Sequence, residues 1–277
     1  MNGEFLLQEA FNSLKLIVTT NINNYGQTVA MARMMLRKRY SGSVLGVIWA
    51  IVKPTFYFFI YWFVMTIGIR GSRTIEGVSY AMWMIPGITA WFFLSDVLTR
   101  GGVSILSNKH LVTKLVYPID TIPVSEVLSL FFVHLAMLAI ATTIFILSGF
   151  GIGIYLLQLP YYVLCSFLLS LAIAFLLSSL TAVSKDIKHM INSFMTGFFW
   201  LTPVLWSIVN ITSPLRQIIL MNPLAYVVLG YRDSFVSRTW FFQKGAYTLY
   251  FWAFLIVLTL LAALVHNKLR HEYADVL

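Results

Sequence analysis

The residues with the strongest potential for chemistry are ionisable side chains inside long apolar segments or at their ends. They are Lys53, Asp96, Glu126 and His134. Ionisable groups inside a membrane are costly and often functional. We expect the Lys53 ammonium group to reach the membrane surface, and the Asp96 and Glu126 carboxylates to be solvated at span ends. His134 lies deeper and lacks a chain of acidic partners, which favours a neutral, hydrogen-bonded histidine over a proton relay.

Motifs of the common catalytic and nucleotide-binding sites are missing from the sequence. It contains no GxxxxGK[ST] phosphate loop, no HExxH zinc motif and no GxSxG nucleophile elbow. The five histidines are scattered, and the single cysteine, Cys165, lies in an apolar run. Neither a catalytic triad nor a cysteine-based metal site follows from this spacing. The sequence therefore predicts a protein that is not an enzyme and that has no cofactor of its own.

The composition is that of a polytopic membrane protein. Hydrophobic residues make up 59% of the chain and charged residues 10%, with a mean hydropathy of +0.83. Soluble domains usually carry about 25% charged residues. The net charge of +9 favours anionic lipid headgroups or an anionic substrate over nucleic acid as the partner.

Apolar segments long enough to cross a membrane predict an all-α integral membrane protein with six transmembrane helices, since a span needs about 20 mostly apolar residues. The predicted spans are about Val47–Ile69, Met82–Thr99, Ile122–Leu147, Tyr155–Val183, Ile191–Val209 and Ala246–His266.

The distribution of Lys and Arg predicts the orientation of these spans. A basic cluster begins at Arg37 and leads directly into the first span in RKRYSGSVLGVIWAIVKP. With the N-terminus inside, the segments on the cytoplasmic side hold about twice as many Lys and Arg residues as the outer segments, which is the expected sign. Six spans then place both termini in the cytoplasm.

The segment 210–236, between the last two predicted spans, is apolar but is broken by Pro214 and Pro223. Neither of its pieces is long enough to span. Two short re-entrant helices on the outer side fit this pattern, provided that protein covers their broken backbone. The alternative is a seventh span, which would place Lys268 and Arg270 outside, against the charge rule.

Two basic segments lie on the predicted cytoplasmic side. The first, between the second and third spans, predicts a short helix with an apolar stripe and basic edges, either a docking surface or a solvated loop. The second is SKDIKH, which begins at Ser184. The region from about Leu6 to Tyr40 is neither long nor apolar enough to span, and we expect a helix at the cytoplasmic membrane surface there.

Three sequence blocks resemble the ABC-2 permeases that export polysaccharides. They are RYSGSVLGVIWAIVKP at the first span, LVTKLVYPIDTIPV before the third and NPLAYVVLGYRDS before the last, in the same order and spacing as in that family. More narrowly, IYWFVMTIGIRG, HLAMLAI and the C-terminal AYTLYFW and VHNKLRHEYADVL resemble the wall teichoic acid translocation permeases of Gram-positive bacteria.

The resemblance implies a homodimer of this permease with two copies of a separate ATPase, which binds ATP and Mg. It implies a cytoplasmic segment 1–43 with an interface helix at about Val29–Ser41, and a transmembrane domain 44–277. Within that domain a coupling helix at about 108–117 would contact the ATPase. The implied coupling residues are Asn108, Lys109, His110, Lys114 and Tyr117, with Lys185, Asp186 and Lys188 as a second contact.

The resemblance also implies a lipid-linked anionic glycopolymer as substrate, with membrane lipids as further partners. Basic residues at the cytoplasmic mouth would attract its phosphates, and aromatic rings would stack on its sugars, although packing or an interfacial aromatic belt explains the same rings equally well. The candidate path residues are Arg33, Arg37, Arg39, Trp49, Lys53, Phe56, Tyr57, Tyr61, Phe198, Phe199 and Trp200. The candidate outer gate comprises Pro214, Asn222, Pro223, Tyr226, Tyr231 and Arg232.

The function expected from the sequence is therefore ATP-driven export of undecaprenyl-diphosphate-linked wall teichoic acid across the cytoplasmic membrane of a Gram-positive bacterium. One alternative is an exporter of O-antigen, capsular or rhamnan polysaccharide, or of a drug or lipid. An alternative of another class is a membrane transferase acting on a lipid-linked sugar. It would need a positioned acid or base, for which Asp96, Glu126 and His134 are the available groups.

Overall fold

Helices account for most of the chain that the computed structural model describes, namely residues 3–64, 67, 74–114, 117–150, 153–209 and 211–273. The helices are α1 (Gly3–Asn23), α2 (Tyr25–Arg39), α3 (Trp49–Phe63), α4 (Tyr80–Thr99), α5 (Ser104–Ser107), α6 (Lys109–Lys114), α7 (Thr121–Leu147), α8 (Leu159–Val183), α9 (Lys185–Leu201), α10 (Ser213–Leu220), α11 (Pro223–Arg232) and α12 (Gly245–Leu269). A hairpin of β1 (Thr74–Ile75) and β2 (Val78–Ser79) precedes α4.

Five helical stretches within the described ranges are long and apolar enough to cross a membrane. They are Gly46–Phe63, Tyr80–Leu111, Thr121–Leu147, Ile154–Val183 and Phe241–Leu269. They correspond to five of the six predicted spans and confirm the all-α integral membrane fold. The predicted end of the first span at Ile69 lies outside the described residues.

The predicted span Ile191–Val209 is wrong in its boundaries. Helix α9 begins at Lys185 and ends at Leu201, and Thr202 has an extended backbone with φ −91° and ψ 132°. Pro203 follows, and the residue before a proline is sterically pushed out of the α region, so the helix ends there despite the apolar residues beyond. The 17 residues of α9 lie at the lower limit for crossing a membrane, so the count of six spans stays a prediction.

Two helices precede the first span. Helix α2 covers most of the predicted interface helix and packs on α7, where Ser125 Oγ donates to the Thr28 carbonyl at 3.0 Å. Helix α1 was not expected as a separate element. Its Ile17 packs against Phe175 of α8 and against Ala262 and Ala263 of α12. The N-terminal segment is therefore attached to the spans along two helices.

The main core joins α4, α7, α8, α11 and α12. Cys165 of α8 is 0% exposed within it, and Trp83 of α4 is 1% exposed. Helix α11 packs closely on α8 at Gly230, where a Cβ would lie 2.0 Å from the Tyr162 ring. Glycine is therefore required at this position for α11 to reach the core.

The segment after α9 forms the two short helices that the sequence predicted. Helix α10 has eight residues and α11 has ten, each with a proline in its first turn, and neither can span a membrane. Residue Asn210, where the prediction begins, lies outside the described residues. A π-helical turn, Asp233–Ser237, follows α11.

One end of the bundle collects α2, α5, α6, the start of α7 and the ends of α8 and α12; we call it the basic end. Met31, Ile105, Leu111, Ala182 and Tyr273 pack together there. The opposite end, with the start of α4, the end of α9 and α11, is called the Arg232 end. The charge rule predicts that the basic end is cytoplasmic.

The described part of the predicted coupling helix at about 108–117 is helix α6. Helix α6 begins at Lys109 and ends at Lys114, and Asn108 forms the turn from α5. Residues 115 and 116 lie outside the described residues. Tyr117 is not helical, as expected for the residue before Pro118.

Candidate functional site

An ion pair links α2 to α7 at the basic end. Arg39 Nη2 lies 2.7 Å from Glu126 Oε1 and donates to Ser129 Oγ at 2.9 Å. Both charged side chains are 12% exposed. Glu126 is therefore not the solvated carboxylate that the sequence predicted, because the guanidinium of α2 covers it. The charge of Arg39 is paired with Glu126, and whether Arg39 also attracts substrate phosphates stays a prediction.

A polar pocket of about 540 Å³ adjoins this pair between α2, α4 and α5. Lys38, Arg100 and Asp96 line it. Asp96 Oδ1 accepts from Arg100 Nε at 3.2 Å, and both side chains are about half exposed, in agreement with the prediction that Asp96 is solvated. The pocket thus carries charges of both signs.

A buried cluster of Asp120, Ser179 and His266 was missed by the sequence analysis. His266 Nε2 lies 2.9 Å from Asp120 Oδ1, and its Nδ1 lies 2.8 Å from Ser179 Oγ. Burial raises the pKa of Asp120, but the hydrogen bond and charge of His266 and the charge of Arg270 outweigh it, so the pKa is lowered overall. Only the position of Asp120 just before a predicted span gave any signal in the sequence.

This cluster resembles a catalytic triad in composition but cannot act as one. Ser179 and His266 are 0% exposed and Asp120 is 2% exposed, so no substrate carbonyl can reach the serine oxygen. Ser179 Oγ also donates to the Phe175 carbonyl at 2.7 Å within its own helix. The cluster instead ties the start of α7 to α8 and to the end of α12.

The predicted coupling residues divide between buried and exposed positions at the basic end. Asn108 is 8% exposed and its Nδ2 donates to the Ser104 carbonyl at 2.8 Å, and Tyr117 packs on the apolar cluster of this end. The other coupling residues with described side chains are exposed: Lys109, His110, Lys185, Asp186 and Lys188. The side chain of Lys114 is not among those described.

The two predicted contact segments lie close together. Thr181 Oγ1, near the end of α8, donates to the Gly102 carbonyl just before α5 at 2.6 Å. Helix α9 begins four residues after Thr181. The exposed first turn of α9 and the short helices α5 and α6 therefore lie at one end of the molecule, as a shared docking surface requires.

The predicted path residues flank α4. On α3, Tyr57 and Tyr61 contact Phe92 with ring centroids 5.6 Å and 6.4 Å away, and on α9, Phe199 lies 5.5 Å from Trp91. Phe92 and Trp91 are neighbours on α4, so α3 and α9 lie on its two sides.

The other path residues on these helices are exposed on the outside of the single chain: Trp49, Lys53, Phe56, Phe198 and Trp200. Lys53 Nζ lies 5.9 Å from the Tyr57 ring centroid. Arg33 and Arg37 of α2 are exposed as well. The structure does not test whether any of them contacts substrate.

The predicted gate residue Arg232 is buried at the opposite end. Its side chain is 2% exposed and donates to the carbonyls of Pro203 and Val204, just after α9. Its guanidinium carbon lies 3.6 Å from the Trp83 ring centroid, a cation–π contact. A Cβ at Gly87 would lie 2.6 Å from the guanidinium, so glycine there makes room for it.

The other predicted gate residues behave differently on α10 and α11. Pro214 of α10 is exposed, whereas Asn222 caps α11 by accepting from Leu224 N at 3.0 Å, directly before Pro223. Tyr226 and Tyr231 of α11 are 2% and 0% exposed. These tyrosines anchor α11 in the core, and a role of the segment in gating stays a prediction.

His134 matches its prediction as a hydrogen-bonded histidine between helices. Its Nε2 lies 2.7 Å from Tyr231 Oη, and its ring stacks on Phe93 at 4.7 Å. It is 1% exposed. With His134 buried and Glu126 paired with Arg39, neither side chain is available as the positioned acid or base that the transferase alternative needs. No group of three or more His, Cys, Asp or Glu residues within the described ranges could hold a metal ion.

The chain matches a family model and several known proteins along most of its length. The model of the family described as ABC-2 type transporter matches residues 26–236, from α2 to the turn after α11. The O-antigen export system permease protein RfbA of Klebsiella pneumoniae is 24% identical over 250 residues, covering 90% of this chain and 94% of that protein.

Two further relatives have comparable coverage. The O-antigen export system permease protein RfbA of Myxococcus xanthus is 22% identical over 256 residues, covering 90% of this chain and 95% of its own length. The polysialic acid transport protein KpsM of Escherichia coli is 23% identical over 243 residues, covering 86% and 90%. The similarity thus extends over nearly the whole of each protein.

Proposed function

Since the chain belongs to the ABC-2 type transporter family, we propose that it is the permease subunit of an ATP-driven exporter of a polysaccharide. The observation that carries this proposal is the similarity along nearly the full length to proteins named for O-antigen export and polysialic acid transport. Five helices that can cross a membrane support a place in the bacterial cytoplasmic membrane. The buried Ser179–His266–Asp120 cluster gives no support to an enzyme.

The substrate we propose is an O-antigen-like or capsular polysaccharide attached to undecaprenyl diphosphate. The relatives described above favour this broader class over wall teichoic acid, which rests on short sequence blocks alone. Arg33 and Arg37 are exposed on α2 and are available to a lipid diphosphate. Each contributes about 1 kcal/mol of attraction near a membrane surface. Arg39 is not counted, because Glu126 neutralises it.

The energy source we propose is a separate ATPase, two copies of which dock on a dimer of this chain. The exposed residues Ser107, Lys109 and His110 and the first turn of α9 offer a surface at the basic end where it would dock. The neighbouring Arg39–Glu126 pair would transmit movement of α2 to α7. ATP binding would then bias two arrangements of the permease pair.

The export proposal is tested by complementation in two hosts. The chain and its genomic ATPase partner are expressed in cells that lack their O-antigen permease, and in cells that lack their teichoic acid permease. Surface polysaccharide restored in the first host supports the broad proposal, and restoration only in the second supports the teichoic acid hypothesis. A folded complex at the membrane that restores neither would contradict both.

The docking proposal is tested by charge reversal. Lys109→Glu combined with Lys114→Glu should lower the ATPase recovered with the permease by about tenfold, since two reversed contacts at about 0.7 kcal/mol each give that factor. The matched control is Arg216→Glu on exposed α10, at the other end. Equal ATPase recovery from both variants would exclude the surface as the docking site.

A further inference from the structure

A groove of about 810 Å³ lies between α1 and the helices α7, α8 and α12, and the proposed transport function does not use it. Its lining is almost wholly apolar and includes Phe11, Val18, Leu168, Leu171, Leu255 and Ile256. A volume of this size lies within the range of small-molecule sites, and such a lining suits a hydrocarbon ligand.

The groove is continuous with the lipid-facing surface of the spans. Helices α8 and α12 belong to the stretches that can cross a membrane. Beside the groove, α12 exposes Val257 and Leu261, with 66% and 49% of their surfaces accessible, and α8 exposes Leu164 at 49%. Apolar surface on a spanning helix faces hydrocarbon rather than water. The groove therefore opens into the bilayer.

The length of the groove fits a single leaflet. On α12 its lining runs from Trp252 to Ala263, which is about 16 Å of helix. The hydrocarbon core of a bilayer is about 30 Å thick, so one leaflet contributes about half of that. A partner helix that crosses the membrane would need a contact surface about twice as long. The dimensions thus match a lipid chain from one side of the bilayer.

Helix α1 closes the groove at the basic end. It also carries a cationic side chain, Lys15, beside the groove. Ile17 packs on Ala262 and Ala263, so α1 lies across the basic end of α12. The exposed Lys15 lies one helical turn from both Phe11 and Val18 and therefore shares their side of α1. A lysine beside apolar residues at a membrane surface keeps its charge at headgroup level. It is complementary to an anionic headgroup.

We propose that this groove binds an acyl chain of an anionic phospholipid from the leaflet at the basic end, with the lipid phosphate beside Lys15. The bound chain fills the space between α1 and the pair α8 and α12, and so fixes the N-terminal helix on the transmembrane bundle. The proposal does not depend on which polymer is exported.

The test uses the full-length chain in nanodiscs of phosphatidylcholine with phosphatidylglycerol whose acyl chain carries a photoreactive diazirine. After irradiation, labelled peptides should map to residues 11–25 and 252–263. Ile256→Trp fills the groove and should lower this labelling by about tenfold, the factor that about 1.4 kcal/mol of lost apolar contact produces. The control is Val257→Trp, an exposed neighbour outside the groove lining, which should keep the labelling.

A second pair of variants addresses the groove from α1, in case Ile256→Trp is not recovered folded. Val18→Trp should reduce labelling, whereas Leu16→Trp, exposed but outside this groove, should not. Lys15→Gln should remove the preference for phosphatidylglycerol over phosphatidylcholine. Equal labelling in the groove and control variants would overturn the proposal. So would cross-links to a second copy of the chain, or displacement of the label by undecaprenyl phosphate.

Discussion

Each end of the bundle holds an arginine that is largely withdrawn from solvent, and the charges of the two arginines are compensated in different ways. At the basic end, Arg39 is paired with the carboxylate of Glu126. At the Arg232 end, the guanidinium of Arg232 faces two backbone carbonyls and the ring of Trp83. The adjacent carboxylate of Asp233 is paired with Lys244 instead. Among the described residues, no carboxylate forms a salt bridge with Arg232.

Because of this difference, the stability of the two ends depends on different groups. The basic end depends on two side chains beside a polar pocket, so a second side-chain change can compensate for the first. The Arg232 end depends on backbone carbonyls that become available because α9 ends at Leu201, before Pro203. No substitution elsewhere replaces a guanidinium that satisfies two carbonyls and stacks on a ring. The Arg232 end should therefore tolerate change less well.

The largest effect is expected at Arg232. Arg232→Leu leaves two buried carbonyls without donors and should lower the free energy of unfolding by about 3–5 kcal/mol. Arg232→Lys should recover little of this loss, because an ammonium group cannot reproduce the planar double contact. Thermal unfolding of the purified chain in detergent measures both, with Arg216→Leu on exposed α10 as control. If Arg232→Lys were as stable as wild type, the claim that the Arg232 end tolerates substitution less well would be wrong.

An intermediate effect is expected at the Arg39–Glu126 pair. Glu126→Gln leaves a mostly buried guanidinium without its counter-charge and should cost about 2 kcal/mol after allowance for the exposed fraction. Adding Arg39→Gln should restore part of the loss, with a coupling energy of about 1 kcal/mol in a double-mutant cycle. If the losses of the two single variants simply add in the double variant, the pair is not coupled. The two ends would then not differ in their tolerance of substitution.

A smaller effect, dependent on pH, is expected at Asp120. Its pKa in the folded protein is lowered, so the stability it contributes is present above its ordinary value of 3.8 and is lost as the pH falls through the folded value. Asp120→Asn should cost about 1–3 kcal/mol at pH 7. The difference from wild type should shrink as the pH falls below about 4.

Thermal unfolding midpoints between about pH 7 and pH 3 measure this dependence. Asp96→Asn is the control, because Asp96 is 48% exposed and its pair with Arg100 should contribute little. A constant difference between Asp120→Asn and wild type over this range would contradict the assignment.

The spans could be predicted because long apolar runs have few other stable structures in a membrane protein. The two short helices after α9 were also predictable, because Pro214 and Pro223 interrupt the apolar run. Pro203 also interrupts a helix, but the residues on both sides of it are apolar, so hydropathy places the end of this span too far along the chain. Sequence hydrophobicity thus located the segments better than it located their ends.

The paired charges could not be predicted from one sequence. Arg39 and Glu126 are separated by 87 positions, and His266 and Asp120 by 146. Such contacts depend on how helices pack, which hydropathy does not encode. Glu126 was expected in water because it lies near a span end, yet α2 lies across that position. The local sequence around these four residues gives no signal of the contacts that they form in the fold.

The burial of Cys165 has a practical consequence for labelling. A maleimide modifies the exposed thiolate of a cysteine, and the chain's one cysteine is 0% exposed. The natural sequence therefore serves as a cysteine-silent background without any substitution. A cysteine introduced at Ser213 on exposed α10 would carry a fluorophore or spin label alone. In the proposed dimer, labels on the two copies would then report the distance between their α10 helices as the proposed ATPase hydrolyses ATP.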